Sequence, residues 1–140
     1  MRFMIIRKAD KDTEAGVLPS QDLLAAMTKY NEDLARAGVL LQGEGLQPSS
    51  RGTRVKFSKG KPTVTDGPFA ETKELIAGFT MIQVRSKEEA IEWVKRWPRE
   101  DGDPELEIRQ VFEAEDFGPN LTAEIREKEE RLRQQVAAKR

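Results

Sequence analysis

The chain has 140 residues, 37% of them apolar and 35% charged, with 24 basic side chains against 25 acidic ones. That length fits one domain, and a formal net charge of -1 leaves no overall field to favour nucleic acid, an anionic membrane surface or an acidic substrate. Cysteine and histidine are both absent, which removes disulfides, thiolate chemistry, the serine–histidine triad, a histidine base and the usual zinc ligand sets, and leaves carboxylates, lysine, arginine and Tyr30 as chemical groups.

Met1 to Arg7 holds too few apolar residues for a secretory core or a membrane span, so a cytoplasmic protein is expected. Phe3 to Ile6 is an unbroken apolar run that suits a central strand covered on both faces. Asp10 to Gly16 is polar and aperiodic and reads as a mobile loop, ahead of Pro19 and Ser20, which open a helix. Leu23, Met27, Tyr30, Leu34 and Ala37 form the helix's apolar stripe, and Gly38 closes it. Val39 to Leu41 begin a strand that runs on through Gly43 and Gly45, glycines that suggest a bulge or a close approach.

Thr53, Val55 and Phe57 alternate with Arg54, Lys56 and Ser58, and a return strand through Thr63 to Thr65 follows the turn at Gly60-Lys61. Ile76 to Val84 is a further strand, Ser86 to Glu89 has capping-box spacing, and Ala90, Val94 and Trp97 stripe a second helix that Pro98 stops. Leu106 to Phe112 is a last strand with a bulge expected near Gln110. After the hinge Phe117 to Asn120, Leu121, Ile125, Leu132 and Val136 line a thin, charge-rich amphipathic helix. The organisation expected is one α+β domain over residues 1–117 and a C-terminal helical extension over 118–140.

Strand, helix, strand, hairpin, strand, helix, strand is the order of a ferredoxin-like unit with an inserted hairpin. Both helices would cover one face of the sheet, and the other face would leave apolar side chains in water. Burial of that face by a second copy predicts a homodimer.

Asp66-Gly67-Pro68-Phe69-Ala70-Glu71-Thr72-Lys73-Glu74 starts at a strand end and concentrates turn chemistry with ionisable groups. Asp66 reads either as a general acid or base at the mouth of a cleft, or as a side chain that holds its own turn. Glu71 and Lys73 read as partners of that site or as a solvated loop. Glu44, if near Asp66, would give two carboxylates with separated pKa values and hence an acid and a base without histidine. Arg54 has the fork to hold an anionic group. The candidate catalytic residues are therefore Asp66 and Glu71, and the candidate ligand-binding residues are Glu44, Arg54, Asp66, Gly67, Pro68, Phe69 and Lys73. No ligand spacing for a metal is present, and Gly43-x-Gly45 lacks the third glycine and following helix of a dinucleotide loop, so no metal or cofactor is expected.

Gly43-Glu44-Gly45-Leu46-Gln47-Pro48, Val64-Thr65 running into Asp66 to Glu74, and Gly78-Phe79 resemble the DGPF branch of the YCII-related family, over a stretch from the first strand to about Glu113. The resemblance implies a dimeric α+β barrel with a cleft near the motif loop. It also brings a wider family whose dehydrochlorinase-like members pair a histidine with an aspartate, a pair this chain lacks, and others whose genes associate with extracytoplasmic-function sigma factors. The reading favoured is a small-molecule-binding or regulatory dimer. The alternatives are an enzyme using Asp66 with Glu44 or Glu71, and a module that docks a protein partner through residues 121–136.

Overall fold

The computed structural model describes residues 1–139. Contact density divides the chain into a compact unit from Met1 to Gln110 and a second unit from Val111 onward.

In the first unit, the strands β1 (Arg2–Lys8), β2 (Leu40–Gly45), β5 (Ile76–Gln83) and β6 (Leu106–Gln110) form an antiparallel sheet in the order β2-β5-β1-β6. The apolar run at the N-terminus thus becomes a central strand. Strand alternation sends Phe3, Ile5 and Ile82 to one face, where they meet Tyr30 and Leu34 of helix α2 (Gln21–Arg36) and Ala90 of helix α3 (Lys87–Val94). Full burial of side chains such as Phe3, Ile5, Leu34 and Ile82 contributes roughly 1.5–3 kcal/mol each. The Tyr30 hydroxyl donates to the Trp93 carbonyl at 2.7 Å, and its ring meets Trp97 edge-on at 5.3 Å. Burial pushes that hydroxyl's pKa up to about 12, so Tyr30 stays protonated as a structural donor and leaves the set of candidate acids.

Helix α2 follows its sequence signals. Ser20 accepts from the Leu23 amide at its start, and Gly38 with φ of 76° ends it. Helix α3 begins with Ser86 accepting from the Glu89 amide but stops at Val94, so Trp97 packs against the core from beyond the helix. The segment after Ala9 departs from the expected loop. Lys11–Glu14 is a helical turn, α1, closed by a capping box in which Asp10 accepts from the Thr13 amide and the Thr13 hydroxyl accepts from the Asp10 amide. One turn is too short to show an apolar period, which hid it from periodicity. The register shifts fall at Lys8 on β1 and Leu41 on β2, while β6 pairs regularly as far as Gln110.

Helix-facing and opposite-facing residues separate cleanly on the sheet. The face away from the helices carries Met4 paired to Met81 and Ile6 paired to Phe79, all half-buried. Between β2 and β5 the chain makes a separate hairpin of β3 (Thr53–Ser58) and β4 (Lys61–Asp66). Its Val55, Phe57 and Val64 are 53%, 69% and 65% exposed, so nothing described within the chain covers its apolar face.

In the second unit, Phe112 stacks on Phe117, a turn runs from Ala114 to Asn120, and α4 (Ala123–Ala138) follows with Thr122 accepting from the Ile125 amide. Glu124–Lys128 and Glu127–Arg131 pair at a spacing of four and Glu130–Arg133 at a spacing of three. Ile125, Leu132 and Val136 remain exposed. Among the described residues, no helix is long and apolar enough to cross a membrane.

Candidate functional site

The Asp66 loop is held by its own neighbours. Asp66 is exposed, and its carboxylate accepts from the Thr53 hydroxyl at 3.0 Å across the end of the hairpin. The Gly67 amide donates to the Gly52 carbonyl at 2.9 Å, and the Gly67–Pro68 peptide is cis. A Cβ on Gly67 would fall 1.7 Å from the Ser49 carbonyl oxygen, so only glycine lets these two backbones touch. Ser49 then acts as a hub. Its hydroxyl accepts from the Phe69 amide and donates to Glu14, whose other carboxylate oxygen takes the Ser49 amide. Every polar group in this chain of contacts has its partner.

Arg54 lies 3.9 Å from the Phe69 ring centroid and 3.7 Å from the Glu71 carboxylate. Both ends of that ion pair are about half exposed, and such pairs contribute little, about 0–1 kcal/mol. Lys73 sits exposed in the turn Thr72–Glu74. Arg54, Glu71 and Phe69 are therefore brought together, and Asp66 is tied to Thr53. Glu44 is elsewhere, on β2, where pairing with Phe79 sets its side chain on the sheet face away from the helices.

A concave site of the first unit lies between α2 and the sheet. It is a cleft of about 1110 Å³, just above the upper end of the range usual for small-molecule sites. Leu23, Met27 and Asn31 line one wall at helical spacing, and Gly43, Gly45, Gly78 and Thr80 line the floor. Gly43 pairs with Thr80, and Gly45 with Gly78, so both β2 glycines point to the helix side. A Cβ at Gly45 would meet nothing within 4 Å, and one at Gly43 would make only ordinary contact with Thr80. These glycines keep the cleft open; the close backbone approach is at Gly78, where a Cβ would stand 2.9 Å from the Glu44 carbonyl oxygen. Glu44 itself borders the cleft, whereas Asp66, Arg54, Gly67, Phe69 and Lys73 do not line it.

At one end, Arg7 binds both carboxylate oxygens of Asp101, at 3.1 and 2.8 Å, and also reaches Asp10 and the Lys8 carbonyl. The hydrogen bond to Asp101 is the main reason the guanidinium pKa is raised, against the opposing effect of burial. Trp97 donates its indole N–H to Asp101 at 2.8 Å. Asp10 is held below its ordinary value, chiefly by the Thr13 amide and then by Arg7. Asn31 presents the contrast: its side-chain oxygen is buried without a hydrogen-bond partner among the described residues, an arrangement that costs free energy.

The YCII-related domain family matches residues 1–115. The chain belongs to the YCII-related family. An uncharacterized protein of Rhizobium meliloti (strain 1021) is 39% identical over 75 residues, a match that spans 54% of this chain and 57% of that relative. Among solved structures, 5-chloro-2-hydroxyhydroquinone dehydrochlorinase from Burkholderia phenoliruptrix AC1100, in complex with 2,5-dihydroxybenzoquinone, is 18% identical, with a TM-score of 0.42 over 82% of this chain and 98% of that one.

Within this YCII-related chain, Asn31, Thr80, Arg7 and Asp101 are the cleft residues that the motif did not point to. Asn31 shares a helix face with Met27 and Leu34 at spacings of four and three, and a lone amide on an apolar stripe is the signal that was available. Asp101 carried no such signal, because its partner Arg7 is 94 residues away.

Proposed function

We propose that this protein binds a small molecule in the cleft between α2 and the sheet, and that the Asp66 loop braces that cleft without forming its binding surface. The observation that carries the reading is an open, glycine-floored concavity walled by Leu23 and Met27 of α2, with Thr80 on its floor. In the motif loop, by contrast, Asp66 and the Phe69 amide have partners and Gly67 is locked against Ser49. Through Ser49 and Glu14 the loop fixes α1 and the segment around Pro48, which line the cleft mouth.

We propose further that the first unit works as a homodimer of the ferredoxin-like kind, closing into an α+β barrel. Support comes from the strand order β2-β5-β1-β6 and from the Met4, Ile6, Phe79 and Met81 face opposite the helices. The uncovered apolar face of the β3–β4 hairpin adds to it, since an isolated two-stranded hairpin is marginal in water. Sedimentation of the full chain tests this, with a Met4→Glu, Phe79→Glu double variant expected to sediment as a monomer.

The test of the binding site is chemical-shift mapping of the full chain against a fragment library. Perturbations should concentrate on Met27, Asn31, Gly43 and Thr80. Hits that instead gather on Arg54 and Phe69 to Lys73 would move the site to the motif loop and restore Asp66 with Glu71 as candidate chemical groups.

A further inference from the structure

We infer that the cleft takes a flat ring, laid on the bare backbone of β2 and β5 with a polar substituent turned to the Thr80 hydroxyl; this rests on the cleft being the binding site and names the class of molecule it holds. Two independent observations lead to that class.

One is a missing layer of side chains. Where helices pack on a sheet, side chains from both surfaces fill the space between them, and over much of this face the sheet supplies Phe3, Ile5 and Ile82. Beside Leu23 and Met27 it supplies almost nothing. Gly43 pairs with Thr80 and Gly45 with Gly78, so three of these four cleft positions carry no side chain. Crowding does not account for Gly45, where a Cβ would meet nothing within 4 Å. Residues two apart on a strand are separated by roughly 7 Å and neighbouring strands by roughly 5 Å, so the bare area has the footprint of one six-membered ring. A flat ring touches such a floor throughout, whereas a puckered one lifts atoms off it, and dispersion contact is forfeited steeply with a gap of this kind. On the opposite wall Met27 brings a thioether, which is adaptable and favourable against aromatic rings.

The other observation is Thr80 itself. It is only 4% exposed, and its hydroxyl shares no hydrogen bond with any described residue. The space left by Gly43 reaches it: a carbon standing where that residue would carry a Cβ lies 3.6 Å from Thr80 Oγ1 and 3.8 Å from Cγ2. A ligand atom in that space is therefore in contact with a hydroxyl able both to donate and to accept. Leaving such a group unpaired costs free energy, and an amide, carbonyl or hydroxyl on the edge of the ring relieves it. The glycines alone record room; Thr80 gives the occupant a polar edge.

Benzamide, cyclohexanecarboxamide and toluene separate the two requirements. Each is titrated into the full chain and followed by amide chemical shifts. Benzamide should bind roughly fivefold tighter than cyclohexanecarboxamide, which carries the same amide on a puckered and more hydrophobic ring. The near-isosteric Thr80→Val should weaken benzamide about five- to tenfold, the loss expected for one hydrogen bond, and leave toluene unchanged. Gly45→Ala, whose methyl group enters open floor, should weaken benzamide and toluene alike, and keeps the test available if Thr80→Val does not fold. Cyclohexanecarboxamide binding as tightly as benzamide, with shifts on Met27 and Thr80, would overturn the flat-ring class and leave the cleft as the site. Benzamide affinity unmoved by Thr80→Val would overturn the polar edge. Shifts confined to Phe69 to Lys73 would overturn the site and the class together, and an absence of saturable shifts with all three probes would overturn the class.

Discussion

Gly67 in the motif loop and Gly45 on β2 answer opposite needs. A Cβ on Gly67 would fall 1.7 Å from the Ser49 carbonyl oxygen, and one on Gly45 would meet nothing within 4 Å. The first glycine exists because two backbones are pressed together, the second because a space is being kept. The same contrast runs through the polar groups of the two regions: Asp66, Ser49 and Glu14 are all partnered, whereas Asn31 is left with a bare buried oxygen. A contiguous motif records a local backbone constraint; a cleft is assembled from residues scattered along the chain, and its mark is what has been left unfilled and unsatisfied.

Substitution at the two glycines should break the comparison most sharply. Gly67→Ala forces either Ser49 or the loop to move and is expected to lower unfolding free energy by about 3 kcal/mol, at the upper end of overpacking costs, measured by urea denaturation of the full chain. Gly45→Val should do the reverse. Its side chain enters open space on a strand, so stability holds or rises by roughly 0.5–1 kcal/mol, while binding of fragments that map to the cleft falls about tenfold or more as the cleft fills. If both variants lost stability alike, the distinction between brace and cleft would go.

Asp66→Asn sharpens the contrast at smaller scale. The Thr53 hydrogen bond is exposed, so a loss of about 0.5–1 kcal/mol in stability is expected with fragment affinity unchanged; a large loss of affinity or of any turnover would return the site to the motif. The smallest effect is on acid stability. Because the folded pKa of Asp10 lies below its ordinary 3.8, its contribution is present above that pH and is lost as pH falls through the folded value. Asp10→Asn should therefore flatten the decline of the urea midpoint between pH 5 and pH 2, by a modest amount for a side chain that is half exposed.

Much of the fold could be read from the residues, because it rests on repeated local patterns. Phe3 to Ile6 reads as a strand and Leu23 to Leu34 as a helix, and the stop at Gly38 is explicit. What escaped was non-local or too short to be periodic. The turn at Lys11–Glu14 depends on one capping box, and the Arg7–Asp101 pair spans 94 residues. Asp66 drew attention because it stands beside glycine and proline, the chemistry of a tight turn, and a tight turn is what the chain builds there. Gly43 and Gly45 read as marks of a bulge or a close approach; β2 does shift register, at Leu41, but sequence offers no way to tell a glycine that avoids a clash from one that preserves a void.

The most direct measurement is a crystal structure of the full chain grown with a hit from the fragment library. The fragment should lodge between Met27 and the Gly43–Gly45 strand. A fragment seated against Phe69 and Glu71, with the space beside α2 closed, would contradict the assignment of the cleft as the binding site.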